Sequence, residues 1–270
     1  MYRGYRVVLV VPAGRKKYLE LQLPYILKCR EIVDEYRYWV NTTVSEDIEY
    51  MKHNARSYDG FVTCDTEDIK MMTTLNIYKF FKRTTDKGTI YVRLDDDIVW
   101  MEEDAIRKLL DFRIDNPGYF LVYGNIVNNT ICDHIHQRLG VYNHVSESID
   151  YDCLGNAWAN PTLAMVKHRT FLINLSNNNV QRYKFSMWRL HLYERVSINC
   201  ISWYGSEFAA FDGDVGKNEE EWLACEKPKE LGKCNCICGS ALFSHFAYCV
   251  QRDEVDKSDI LARYRSLISL

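Results

Sequence analysis

The stretch from Gly88 to Met101, GTIYVRLDDDIVWM, constrains this chain more than any other. Thr89 to Leu94 is apolar and β-branched enough to predict a strand, and the apolar run stops at three consecutive carboxylates, Asp95, Asp96 and Asp97. In open α/β sheets, ligands sit outside the carboxyl ends of the strands, so a strand that ends in acid presents its carboxylates to a substrate. Alternate residues of an extended segment point the same way, which puts Asp95 and Asp97 on one face. Two clustered carboxylates repel unless a cation lies between them, and a hard divalent ion with oxygen ligands is readily shared with substrate phosphates. A solvated acidic turn would read the same in isolation, so the rest of the chain has to decide.

The preceding segments alternate in type. Arg6 to Val11 reads as a buried strand, and Pro12-Ala13-Gly14-Arg15 breaks it before a helix with Tyr18, Leu19, Leu23, Ile26 and Leu27 on one side. Tyr36 to Val40 predicts a second strand, Glu46 to Lys52 a helix, and Asp59 to Thr63 a third strand entered through a turn. Asp68 to Arg83 carries Met71, Met72, Leu75, Tyr78 and Phe81 at helical spacing and leads back to the Thr89 strand. Such alternation predicts an α/β fold with a mostly parallel sheet covered on both faces. The small residues between Pro12 and Arg15 suit a close approach of backbone to ligand. Arg15, Lys16 and Lys17 add charge that would suit a pyrophosphate, although a solvated basic helix start explains them as well.

Beyond Asp97, Glu102 to Asp115 predicts a helix with Ile106, Leu109, Leu110 and Ile114 buried, and Pro117-Gly118 stops it. Tyr119 to Val127 predicts a strand; His168 to Asn174 and Arg182 to Asn199 predict two helices. His134 and His136 lack a third ligand nearby and read as an imidazole pair on a strand face. From Tyr142 to Met165, Asp150, Asp152, Trp158 and Asn160 lie amid glycine and proline. Aromatic faces stack on sugar C–H patches while amides and carboxylates take hydroxyls, so a carbohydrate acceptor suits this segment, and core packing explains its aromatics equally. Ile201 to Leu223 runs from aromatics and glycines into Asp212, Asp214, Glu219, Glu220 and Glu221. These cannot all ionise close together without raising a pKa, which is how a general base near neutral pH is made. Helix electrostatics in a first turn account for two of the three glutamates. Cys225, Cys234, Cys236 and Cys238 lack the spacing of a zinc knuckle and read as one face of a reduced strand. His245, in an apolar run, is a core histidine unless something else needs a ligand.

Composition narrows the classes. With 270 residues, 47% hydrophobic and 26% charged, the chain can build one large α/β domain or two lobes sharing a core. A net charge of −3 gives no reason to expect nucleic acid or an anionic membrane as partner. Val7 to Val11 is too short for a signal core, and no segment reaches the length of a membrane span. The ten cysteines therefore read as reduced thiols and the expected compartment is the cytoplasm, with the sequons at Asn41, Asn128 and Asn174 unglycosylated.

The phrases YVRLDDDIVW, SWYGSEFAAFDGDVG, EEEWL and ALFSHFAY, in this order over nearly the whole chain, resemble the GT-A glycosyltransferases. They are most similar to a group of soluble glycosyltransferases of the chloroviruses, large DNA viruses of algae. The resemblance implies a single GT-A domain, with residues 1–97 as the nucleotide-sugar half and 98–270 as the acceptor half. It implies that Asp97 binds manganese or magnesium and the donor diphosphate, that Asp95 binds the ribose or the metal, and that His245 completes the metal site. Pro12, Ala13, Gly14 and Arg15 would hold the uridine, with Arg93 and Asp96 also on the donor. Asp152, Trp158, Trp203 and Glu207 would face the acceptor. The base would come from Asp212, Asp214, Glu219 and Glu220, with Asp214 and Glu220 preferred. The x-Glu-Asp sequence common in inverting members is present only as Glu219-Glu220. The implied donor is a UDP-sugar, best UDP-xylose, and the implied acceptor an oligosaccharide of a viral glycoprotein N-glycan. Two other classes use parts of the same pattern. A metal-dependent phosphohydrolase would use the aspartates, but Val99 stands where an aspartyl-phosphate enzyme wants threonine. A non-catalytic carbohydrate-binding protein would need only the aromatics.

Overall fold

The strand predicted from Thr89 to Leu94 lies near the middle of the sheet that organises the molecule, in a computed structural model that describes residues 1–66 and 74–268. The strands are β1 (Arg6–Ala13), β2 (Glu35–Val40), β3 (Val62–Asp65), β4 (Thr89–Leu94), β5 (Ile98–Met101), β6 (Val122–Val127), β7 (Met187–Arg189), β8 (Cys200–Tyr204) and β9 (Cys236–His245). They form one sheet in the order β3-β2-β1-β4-β8-β6-β9-β5, with β7 also on β9. The pairs β1·β2, β2·β3 and β1·β4 are parallel. Because β8 runs antiparallel to both β4 and β6, β6 points with β4, and β9 is parallel to β6. Six of these nine strands thus share one direction, and their carboxyl ends lie at one edge.

Helices cover the faces: α1 (Lys16–Lys28), α2 (Ser45–Ser57), α3 (Ala105–Asp115), α4 (Thr130–Arg138), α5 (Asn156–Ala159), α6 (Pro161–Ser176), α7 (Gly205–Ala209), α8 (Glu219–Glu221), α9 (Lys227–Leu231), α10 (Arg252–Asp256) and α11 (Ile260–Ser266). The seven non-arginine residues of β1 are all buried, which is what an apolar run in a central parallel strand requires. One apolar cluster lies around β1, β2 and β4; a second gathers Tyr18, Trp100, Phe171, Tyr183 and Tyr264.

The structure differs from the sequence expectations in four places. Pro12 and Ala13 belong to β1 and do not break it, since Pro12 completes the ladder with Trp39 through its carbonyl side. Thr74–Arg83 is a 3-10 helix that buries Phe80 and Phe81; Met71 and Met72 of the predicted helix lie outside the described residues. His134 and His136 sit on helix α4, not on a strand, because the Asn129 side chain caps it by accepting from the Cys132 amide. The helix predicted over Arg182–Asn199 does not form beyond Tyr183. A 3-10 turn, Val180–Tyr183, leads instead to β7, whose pairing with β9 overrides local propensity.

Candidate metal and nucleotide site

The carboxyl ends of β1, β4, β6 and β9 bring together residues far apart in sequence. Asp95, Asp96 and Asp97 follow β4, and β5 begins at the next residue by pairing Ile98 with His245 at the end of β9. The Phe246 amide also donates to the Asp97 carbonyl at 2.8 Å, so the two chain segments are fastened where their side chains meet. Asp95, Asp97 and His245 each offer one ligand atom, and these atoms all lie within 4.8 Å of one another. No other metal-competent group of this kind occurs among the described residues.

Each member is oriented by a neighbour. Asn128 adopts a left-handed backbone, φ 63°, and its carbonyl accepts from Nδ1 of His245 at 3.1 Å. That bond makes Nδ1 a donor and leaves Nε2 facing Asp97 Oδ1, 3.3 Å away. Asp97 is 1% exposed, and its Oδ1 has no hydrogen-bond partner in the protein although Arg15 and Arg252 flank the other oxygen at 3.3 and 3.2 Å. Burial opposes ionisation of Asp97, but Arg15, His245 and Arg252 outweigh it and hold the carboxyl well below the usual range. Burial likewise opposes a charged His245, and the Asp97 carboxylate outweighs it, raising the ring's pKa. Asp95 accepts from Arg93 at 2.8 Å and from Asn199 at 2.9 Å. An orphaned buried carboxylate oxygen, a second carboxylate and a tautomer-fixed imidazole together fit a divalent cation.

Asp96 turns the other way. It accepts from the Gly14 amide at 2.9 Å and from Arg15, tying the aspartates to the end of β1. A Cβ at Gly14 would lie 2.7 Å from the Asn41 carbonyl oxygen, so glycine is needed there for close packing between β1 and the chain after β2. A cleft of about 320 Å³ opens beside these groups, lined by Pro12, Gly14, Arg15, Arg93, Asp95 and Arg252 among others. Ala13 does not reach it. Its side chain is fully buried in the core.

The remaining candidates divide by geometry. Because β8 is antiparallel to β4, with Cys200 opposite Leu94 and Tyr204 opposite Ile90, the chain after Tyr204 emerges at the edge of the sheet away from the aspartates. Glu207 lies there and pairs with Lys233 at 2.7 Å. Asp214 is there too, 68% exposed and 3.2 Å from Lys82, and Asp212 is an exposed turn residue with φ 54°. Trp203 is fully buried, stacked on Tyr91 and packed against Phe81 and Phe208, so it offers no face to a sugar. Asp152 is exposed, and its carboxylate accepts from the Leu154 amide of its own turn.

The chain returns to the site at α8. Burial pushes the Glu219 carboxyl up, against the attraction of Arg93 and with the repulsion of Glu220 and Asp95. Glu220 is held by Arg195 at 2.9 Å and accepts from the Cys153 thiol. A π-helical stretch, Trp222–Glu226, follows immediately. Such irregular turns are frequent at functional sites. Trp158 is half-buried, its ring 6.2 Å from Tyr248, whose own ring lies 4.9 Å from His245. Sequence reasoning did not single out Arg252, Asn128, Asn199, Tyr123 or Tyr248. Only Arg252 had a local signal, a cation seven residues after His245.

No protein-family model matches the chain, and no curated protein does. Among solved structures, a mycobacterial protein superposes with a TM-score of 0.52 at 13% identity, covering 98% of this chain and 73% of that one. Glucosyl-3-phosphoglycerate synthase from Mycobacterium tuberculosis, in complex with Mn2+, UDP-glucose and phosphoglyceric acid, gives 0.50 at 13% identity over 99% of this chain and 81% of that one. The same enzyme with Mn2+, UDP and glucosyl-3-phosphoglycerate gives 0.50 at 14% identity, over 98% and 78%. At such identities the likeness concerns the fold. No helix of the described residues is long and apolar enough to cross a membrane. The chain has the mixed α/β fold of the GT-A-type nucleotide-sugar transferases.

Proposed function

We propose that this chain is a metal-dependent glycosyltransferase that takes its sugar from a nucleoside diphosphate. One observation carries the reading: Asp95, Asp97 and His245 converge at the carboxyl edge of a GT-A-type sheet, beside a cleft whose cations are Arg15, Arg93 and Arg252. The metal, Mn2+ or Mg2+, would neutralise charge growing on the departing diphosphate. Arg15 and Arg252, which already flank Asp97, would supply guanidinium donors to the phosphates, and the turn at Gly14 would face the base and ribose. Trp158, half-buried beside Tyr248, would give the acceptor sugar an aromatic face. Glu219 is the base we favour. Unlike Asp214 and Asp212 it returns to the metal edge, and unlike Glu220 it is not fixed by an arginine. A carboxyl raised towards the working pH is what a general base needs.

The resemblance to the algal-virus enzymes adds a finer reading, UDP-xylose as donor and a glycan of a viral glycoprotein as acceptor. Calorimetry with UDP, with and without Mn2+, is the test. The transferase reading requires metal-dependent UDP binding. A phosphohydrolase would release phosphate from UDP or sugar phosphates, and a carbohydrate-binding protein would ignore UDP altogether. Comparing transfer from UDP-xylose, UDP-glucose and UDP-galactose then tests the donor, and a preference for either hexose rules out xylose.

A further inference from the structure

Buried polar atoms without a protein partner are scarce, so their distribution is informative. Among the described residues ten such side-chain atoms occur, and four of them belong to Arg93, Tyr123 and Tyr248: Arg93 Nε and Nη1 and the two tyrosine hydroxyls. The sheet explains why they gather. Arg93 on β4 and Tyr123 on β6 are both paired with Ile201 of the intervening β8, one from each side. Residues in one such row project from the same face of the sheet. The segment carrying Glu219 and Glu220 is pinned beside this face where Glu220 accepts from Arg195 at 2.9 Å and from the Cys153 thiol, and its charge is felt by Arg93 and Tyr123. The row lies beside the metal edge, because Arg93 donates to Asp95 at 2.8 Å. Tyr248 closes it from the His245 side, its ring edge-on to the imidazole and its hydroxyl turned towards Ser197, Cys153 and Glu220.

We propose that Arg93, Tyr123, Tyr248 and Glu219 form a buried hydroxyl-recognition pocket for the transferred sugar, one that accepts neutral sugars and rejects uronates. This rests on the transferase reading above. A sugar ring there replaces four missing hydrogen bonds at once: Arg93 donates two N–H groups, each tyrosine hydroxyl can give or take one, and Glu219 accepts. Hydroxyl groups suit this mixture of donors and acceptors. A carboxylate does not. It would meet Asp95, Glu219 and Glu220 on the walls, with Arg93 already paired to Asp95 and Arg195 to Glu220. Rejection of the acidic sugar then comes from like charge, not from lack of space.

UDP-xylose and UDP-glucuronate share the same ring and differ by the C5 carboxylate, so they separate the two terms. With Mn2+ present, the parent protein should bind UDP-xylose or UDP-glucose more tightly than UDP, and UDP-glucuronate no more tightly than UDP. Tyr123→Phe and Tyr248→Phe remove one hydroxyl each from a site where it has no protein partner, so both variants should fold. Each should lose about tenfold of the preference for the neutral UDP-sugar over UDP while leaving the affinity for UDP itself unchanged. If both variants keep the parent's full preference, or if UDP-glucuronate binds as tightly as UDP-xylose, the pocket assignment is wrong while the nucleotide site stands. If the parent binds no UDP with Mn2+, the transferase reading falls and the pocket with it.

Discussion

Asp97 and Asp133 are both fully buried aspartates near His245, yet they are built in opposite ways. Asp133 has both oxygens engaged: Lys167 donates to it at 2.6 Å, the Asn128 amide at 3.1 Å and the Tyr142 hydroxyl at 3.3 Å. Both Asp133 and Lys167 have no solvent exposure, and although burial raises the Asp133 pKa, Lys167 and His136 together bring it below its ordinary value. Asp97 is surrounded by cations but keeps one oxygen without a hydrogen-bond partner. A closed network fixes a backbone; here it fixes Asn128, whose carbonyl orients His245. An open one is available to something from outside the chain. The difference separates a group that holds the fold from a group that the fold holds in readiness.

The sharpest way to break this comparison is to remove each carboxylate. Asp97→Ala should abolish metal-dependent UDP binding by calorimetry while the variant stays folded, because Arg15 keeps Asp96 and Arg252 keeps the Ala247 carbonyl. Unchanged binding would show that Asp97 is no ligand. Asp133→Ala should cost about 3–5 kcal/mol in denaturant unfolding, since it strands Lys167 as an unpaired buried charge. A loss well below that would mean the pair is not what holds this region.

Glu219 and Asp214 extend the contrast to the acidic segment. Glu219→Gln should lower turnover by about a hundred- to ten-thousand-fold with UDP-sugar affinity retained, as expected for a lost base. Asp214→Asn, at an exposed pair with Lys82, should change turnover by no more than about twofold. Equal effects at both positions would remove the basis for choosing Glu219.

The most gradual expected effect is one of pH. Neutral imidazole is the ligand form, and Asp97 raises the His245 pKa above its ordinary value, so metal affinity should fall as pH drops through that raised value and recover above it. Below it the loss should approach roughly tenfold per pH unit, read by Mn2+ titration between neutral and mildly acidic pH. An affinity that does not change over that range would place the ring outside the coordination sphere.

How much of this was legible beforehand follows from the range of the forces involved. Strand β4 and its acidic end were readable because an apolar β-branched run and its terminus are local patterns, and β1, β2 and α1 were readable for the same reason. The H-x-H on α4 and the β7 segment were misread because a single cap and an edge pairing outweighed weak local preferences. The acidic segment shows the limit most clearly. Asp212, Asp214, Glu207, Glu219 and Glu220 are neighbours in sequence and equivalent in charge, but an antiparallel strand carries the first part to the far edge of the sheet and α8 brings the second part back.

The sequence by itself determined which side chains could ligate a cation and that three carboxylates end a strand, because residue type and strand period are properties of the local chain. Only the tertiary structure decided that His245 stands beside Asp97, that Asp96 turns to Gly14, and that Trp203 is core. Those outcomes depend on strand order and direction, which are set by long-range pairing and burial over the whole sheet.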